Sequence, residues 1–204
     1  DDQVISVRLT DGNQHVILAN RNGRAIRFHE ENVRAMGRTA TGVRGMTLDD
    51  DGEDAVIGMI TMEPDSENTI LVVSEQGYGK RTQLNDEDGE PVYRITRRGG
   101  KGVRTLNITD KTGKLVAIKS VTDENDLMII NKSGITIRVK ISDIRTMGRA
   151  TQGVRLINLE KRNDQIASVC KVTSDEEEEG VENLSNLIEE ADSNVDESSN
   201  SNEE

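Results

Sequence analysis

Apolar residues along this chain come in short runs and almost never at helical spacing before residue 174. Three runs, His15-Val-Ile-Leu-Ala-Asn20, Thr69-Ile-Leu-Val-Val-Ser74 and Asp126-Leu-Met-Ile-Ile-Asn131, each reach a glycine (Gly23, Gly77, Gly134) and continue into an alternating stretch. A β-forming run that meets a glycine where positive φ is needed, and then alternates outward, predicts a hairpin. The turn glycines lie 54 and 57 residues apart, so the hairpins predict one repeated unit. In the second copy the pattern predicts four strands, over residues 55–62, 69–75, 79–84 and 102–107. Four short strands at a period near fifty predict propeller blades rather than a helical solenoid. The expected organisation is an all-β partial wheel of antiparallel blades, with repeats at about 4–48, 55–108 and 115–159 and a closing strand at 165–173. The chain opens in what reads as a strand region and lacks an initiator Met, which predicts a piece of a longer protein.

A second repeat runs beside the first. The string RAMGRTATGVR, residues 34–44, returns without gaps as RITRRGGKGVR, residues 94–104, and as RTMGRATQGVR, residues 145–155. The alignment stacks Arg34, Arg94 and Arg145, then Arg38, Arg98 and Arg149, then Arg44, Arg104 and Arg155. Arg97 and Lys101 add two charges to the middle copy, so the three windows carry +3, +5 and +3 with no acid in any of them. Guanidinium forks beside small residues such as Gly99, Gly100 and Gly102 suit phosphate oxygens, because backbone N–H groups can approach as well. Shared ancestry alone accounts for recurring arginines. It does not account for the exclusion of acids from all three windows.

Charge sharpens this picture. The formal net charge is −12, yet residues 174–204 hold thirteen acids and no Lys or Arg, which leaves 25 acids against 26 bases in the rest. The body is neutral and its basic residues are segregated, followed by an acidic tail whose composition predicts disorder. The acid-free windows point to a duplex DNA backbone as their ligand, and in the tail residues 175–179 are expected to compete with that DNA for them. Aromatic residues number three (Phe28, Tyr78, Tyr93), too few for the base-stacking platforms of single-strand and RNA binders. No apolar run is long enough for a membrane span.

Other candidate chemistry is thin. Gly77-Tyr-Gly-Lys-Arg-Thr82 has a phosphate-loop flavour but puts Arg81 where that motif needs Ser or Thr. His15 and His29 have no cluster of further ligands, so no metal site is expected. The acidic runs at 48–54, 85–90 and 122–126 lack calcium-loop spacing and read as solvated turns. Cys170, the single cysteine, predicts a buried thiol in an apolar strand and fits a reducing compartment. No catalytic constellation is present, and no cofactor is expected in this stretch.

Residues Thr96-Arg97-Arg98-Gly99-Gly100-Lys101-Gly102 resemble the gyrase box, QRRGGKG, of the DNA-wrapping domain of gyrase A subunits. VRAMGRTATGVRGM and EQGYGKRT resemble degenerate versions of elements of the same domain. The likeness extends over residues 4–173, with Thr96 in place of the leading Gln. It implies a β-pinwheel, a propeller-like disc whose basic outer edge wraps duplex DNA, with Arg97, Arg98, Gly99, Gly100, Lys101 and Gly102 in the box role. It implies a cytoplasmic, nucleoid-associated parent of two A and two B subunits, using ATP and Mg to introduce negative supercoils. The A subunits of topoisomerase IV carry related wheels and are the close alternative. A propeller acting as a protein-interaction scaffold is a further one, disfavoured by the scarcity of aromatic hot spots.

Overall fold

The computed structural model describes residues 3–50, 52–159 and 164–173. The chain divides into a unit Asp1–Lys171 and a unit Val172–Glu204. The acidic tail and its expected disorder and competition with DNA lie outside the described residues.

Eleven strands and two single 3-10 turns are described in the first unit, which takes in all but the end of the last strand. The strands are β1 (His15–Asn20), β2 (Arg24–His29), β3 (Val56–Met62), β4 (Thr69–Ser74), β5 (Tyr78–Thr82) and β6 (Val103–Arg104). They continue with β7 (Leu115–Val121), β8 (Asp126–Asn131), β9 (Thr136–Lys140), β10 (Val154–Arg155) and β11 (Ile166–Val172). The three predicted hairpins form, as β1–β2, β4–β5 and β8–β9. Their turn glycines sit at φ of 77°, 80° and 87°, in the left-handed region that L side chains avoid.

The sheets are blades of a propeller-like, all-β fold, with orders β3-β1-β2-β6, β10-β5-β4-β7 and β11-β8-β9. They correct one expectation. The four strands read as one unit at 55–108 do not share a sheet: β4 and β5 lie in the second blade, whereas β3 and β6 are the two edges of the first. Each blade is a hairpin completed by strands from the following repeat. Residues 3–14, expected to contain a strand, form none, and Val4, Ile5, Val7 and Leu9 stand exposed.

Burial accounts for the strand patterns. On β4, Ile70 and Val72 enter the core shared with the first blade (Ile17, Ile60, Leu106), while Leu71 and Val73 enter the core shared with the third (Leu127, Ile129, Ile144). A strand buried on both faces reads as a continuous apolar run. Cys170 corrects another expectation: its thiol is exposed. β11 is an edge strand that buries only Ile166 and Val169, so its intervening residues face outward.

Candidate nucleic-acid interface

The second basic window is an arch with both feet on one strand. At one foot Thr96 N–H donates to Arg27 O at 2.9 Å, and at the other β6 pairs Arg104 with Arg24 and Val103 with Ala25. Both partners lie on β2, the outer strand of the first hairpin. The third window repeats the design on β5: Met147 N–H donates to Arg81 O at 2.8 Å, and β10 pairs Val154 with Gly79 and Arg155 with Tyr78. Glycine is required at the descending foot. A Cβ at Gly102, at φ +71°, would lie 2.3 Å from Ala25 O, and one at Gly153, at φ +81°, would lie 2.7 Å from Gly79 O.

Successive windows are joined. Arg98 donates through Nε to Asn32 O at 2.9 Å and through Nη1 to Arg44 O at 3.1 Å. The equivalent Arg149 donates through Nη1 to Arg104 O at 3.2 Å. Backbone bonds run alongside, from Thr47 N to Gly100 O (2.9 Å) and, one blade on, from Asn107 N to Thr151 O (3.0 Å). The three windows therefore form one continuous rim. The first window differs in form: among the described residues no strand edge takes its two ends, and residues 33–42 are an exposed loop closed by a turn from Ala40 N to Gly37 O.

The predicted site residues sort by this geometry. Arg34, Arg38, Arg44, Arg94, Arg97, Lys101, Arg104 and Arg145 have exposed side chains, and Lys101 lies 3.7 Å from Asp49. Arg98 and Arg149 are half-buried staples between windows. Arg155 is exposed as well, but donates to Tyr78 Oη at 3.0 Å and lies over its ring, with Lys111 over the same ring. Gly99, at φ +85°, and Gly100 are clamped by the segment just after the preceding window: Gly99 N donates to Gly45 O and Thr47 Oγ1 donates to Gly99 O, each at 2.6 Å. Tyr93 is fully buried with its hydroxyl 2.6 Å from Thr105 Oγ1, so it offers no accessible nucleophile. No group of three or more His, Cys, Asp or Glu suited to a metal ion occurs among the described residues.

Two features escaped the sequence reading. A fourth arginine recurs, at Arg27, Arg81 and Arg138, in register with the hairpin glycines. Arg27 is 2% exposed and donates to His15 Nδ1, and burial together with the Arg27 charge holds that imidazole below its usual pKa. Arg81 donates to Ile144 O at 2.7 Å and pairs with Asp123; Arg138 donates to Asp126 at 2.6 Å. Arg27 and Arg81 are buried and tie their hairpins to the following repeat, Arg27 through Tyr93 O and Arg81 through Ile144 O, whereas Arg138 is exposed and pairs within its own hairpin. The second feature is Lys80, fully buried, whose Nζ donates to Gly148 O (2.6 Å), Arg149 O (2.5 Å) and Thr151 Oγ1 (3.1 Å). Burial pushes its ammonium down to about 8, with the Arg149 charge acting in the same direction. The blade alignment would have exposed it, since Ile26 and Ile137 fill the same column. Asp54, read as part of a solvated turn, instead accepts from Asn20 Nδ2 at 2.6 Å and from the backbone N–H of Asn22 and Asp49.

Comparison with known proteins agrees with this architecture. The DNA gyrase C-terminal domain, a β-propeller, matches residues 14–61, 68–122 and 125–170. The DNA gyrase A subunit of Staphylococcus aureus strain MRSA252 is 44% identical over 93% of this chain, and that of strain NCTC 8325 is 46% identical over 88%. This chain spans 20% and 19% of those relatives, about a fifth of their length. The crystal structure of the C-terminal domain of DNA topoisomerase IV superposes with a TM-score of 0.76 at 26% identity, over 85% of this chain and 51% of that one. The DNA gyrase A C-terminal domain superposes with a TM-score of 0.66 at 25% identity, over 78% of this chain and 50% of that one. With three hairpin repeats matched in order and blades assembled by strands exchanged between repeats, the chain belongs to the family of the DNA gyrase C-terminal domain, β-propeller.

Proposed function

We propose that this chain binds and bends duplex DNA along its basic rim, as the wrapping portion of the A-type polypeptide of a DNA gyrase. The observation that carries the reading is the hydrogen-bonded succession of three acid-free windows, with nine exposed cations spread over them. A curved row of cations follows the phosphate backbone of a bent duplex, and its contacts offset a bending cost on the order of 1–6 kcal/mol per 20–30 base pairs. Lone exposed arginines on one blade would not do this. The parent would be a cytoplasmic, nucleoid-associated assembly of two A and two B subunits, with ATP and Mg used outside this chain, and the chain itself would catalyse nothing.

Salt tests the reading. With roughly six to ten phosphates engaged, duplex affinity falls about 10³- to 10⁵-fold between 50 and 200 mM salt. A salt-insensitive affinity, or tighter binding to single strands, overturns it. Topoisomerase IV is the second reading, favoured by the TM-score of 0.76; the 44% and 46% identities to gyrase A subunits favour the first. Arg97→Ala with Lys101→Ala in the intact parent separates them. Gyrase loses supercoiling and keeps relaxation, whereas a topoisomerase IV parent never supercoils.

A further inference from the structure

Lys80 draws two consecutive peptide carbonyls, Gly148 O and Arg149 O, towards itself beneath the third arch. In a trans peptide the N–H points opposite to its carbonyl. The amide N–H groups of Arg149 and Ala150 are therefore directed away from Lys80, on the side where Gly148 and Ala150 are exposed. Neither N–H donates to an acceptor among the described residues. The turn between them is closed by Thr151 N to Gly148 O at 3.2 Å. Two adjacent outward N–H groups on a closed turn form a concave anion cradle, and a buried cation behind the carbonyls strengthens it electrostatically.

The second arch lacks this arrangement. Ile26 stands where Lys80 does, and Gly99 N–H, the equivalent of Ala150 N–H, is consumed by Gly45 O at 2.6 Å. We infer that the third arch holds a phosphodiester oxygen on the backbone amides of Arg149 and Ala150, with Lys80 as the positioning residue that aims them. This rests on the duplex-binding reading for its ligand. The second arch, by contrast, would meet the backbone through the Arg97 and Lys101 side chains.

The ¹⁵N-labelled 204-residue chain is titrated first with inorganic phosphate and then with a 20–30 base-pair duplex. Both move the Arg149 and Ala150 amide resonances downfield in the wild type, and Lys80→Ile abolishes both shifts. Isoleucine is the residue that two blades already carry at this position. In Lys80→Ile the slope of log affinity against log salt also shrinks by about one, the contribution of one phosphate. If the variant does not fold, Arg149→Pro is compared with Arg149→Ala. Proline suits the second position of such a turn but lacks the N–H, so it costs roughly tenfold more duplex affinity than alanine. Amides unmoved by phosphate, shifts that persist in Lys80→Ile, or equal losses for Pro and Ala overturn the cradle. Phosphate-shifted amides on a chain that fails to bind duplex leave the cradle standing and remove the DNA reading instead.

Discussion

The second and third arches occupy the same place on consecutive blades and are held by different chemistry. The second is glycine, Gly99-Gly100, pinned from the side by Gly45 and Thr47, which follow the preceding window. The third has Ala150-Thr151 in those positions and is pinned from beneath by a buried ammonium. Both solutions keep the feet on the hairpin strand. Rim geometry is set by the arch feet, whereas the chemistry offered to a ligand is set by the crown, and the two can diverge between repeats.

The feet should produce the largest effects. Gly102→Ala forces a Cβ to within 2.3 Å of Ala25 O at a left-handed φ, and Gly153→Ala meets Gly79 O at 2.7 Å. Each should cost at least about 3 kcal/mol, since neither backbone can move without losing β6 or β10. Gly42, at φ +82° with nothing within 4 Å of its Cβ position, should cost only about 1 kcal/mol as alanine. Denaturation midpoints measure the difference. A Gly42→Ala as damaging as Gly102→Ala would show that strain rather than the crowded foot requires glycine.

The crown of the third arch carries a pH signature that the second lacks. Lys80 has its pKa lowered from 10.5 to about 8 in the folded chain, so above pH 8 the unfolded chain binds a proton that the folded chain does not. Stability therefore rises with pH through this window; it is fully gained above 10.5 and lost as pH falls towards 8. The gain is on the order of 3 kcal/mol relative to Lys80→Ile. The difference between the two melting profiles is the quantity to measure, because other groups titrate in both. Parallel profiles would mean that the ammonium is solvated.

These arches also show what could be read in advance. Hairpins, turn glycines and blades were legible because β-runs, Gly at positive φ and a fifty-odd residue period are local signals. Strand exchange was not: nothing local in Val103-Arg104 says that it pairs with Ala25 and Arg24, 78 and 80 residues away. The windows were legible as charge but not as roles. Arg97 and Arg98 are adjacent and chemically identical, and only the neighbouring carbonyls of Asn32 and Arg44 make the second a staple. Lys80 hid in plain view, since its neighbours suggested a phosphate loop while its buried column required the repeat alignment.

The staples give the smallest effects and the finest distinction. Arg98 reaches two carbonyls and Arg149 one, all partly open to solvent. Hydrogen bonds from a cation are worth about 1.5–3 kcal/mol when buried and less when wet. Arg98→Ala should thus cost about 1–2 kcal/mol of folding stability and Arg149→Ala about half that. Exposed Arg97→Ala should lie within about 0.5 kcal/mol of wild type. Duplex affinity should invert the order for the neighbouring pair: Arg97→Ala removes a phosphate contact outright, while Arg98→Ala loosens the joint between two windows and leaves the remaining cations in place. Equal stability for Arg97→Ala and Arg98→Ala would mean that the windows are not mechanically joined. Each arch would then meet a duplex independently, and the salt slope would fall by the same amount whichever window was altered.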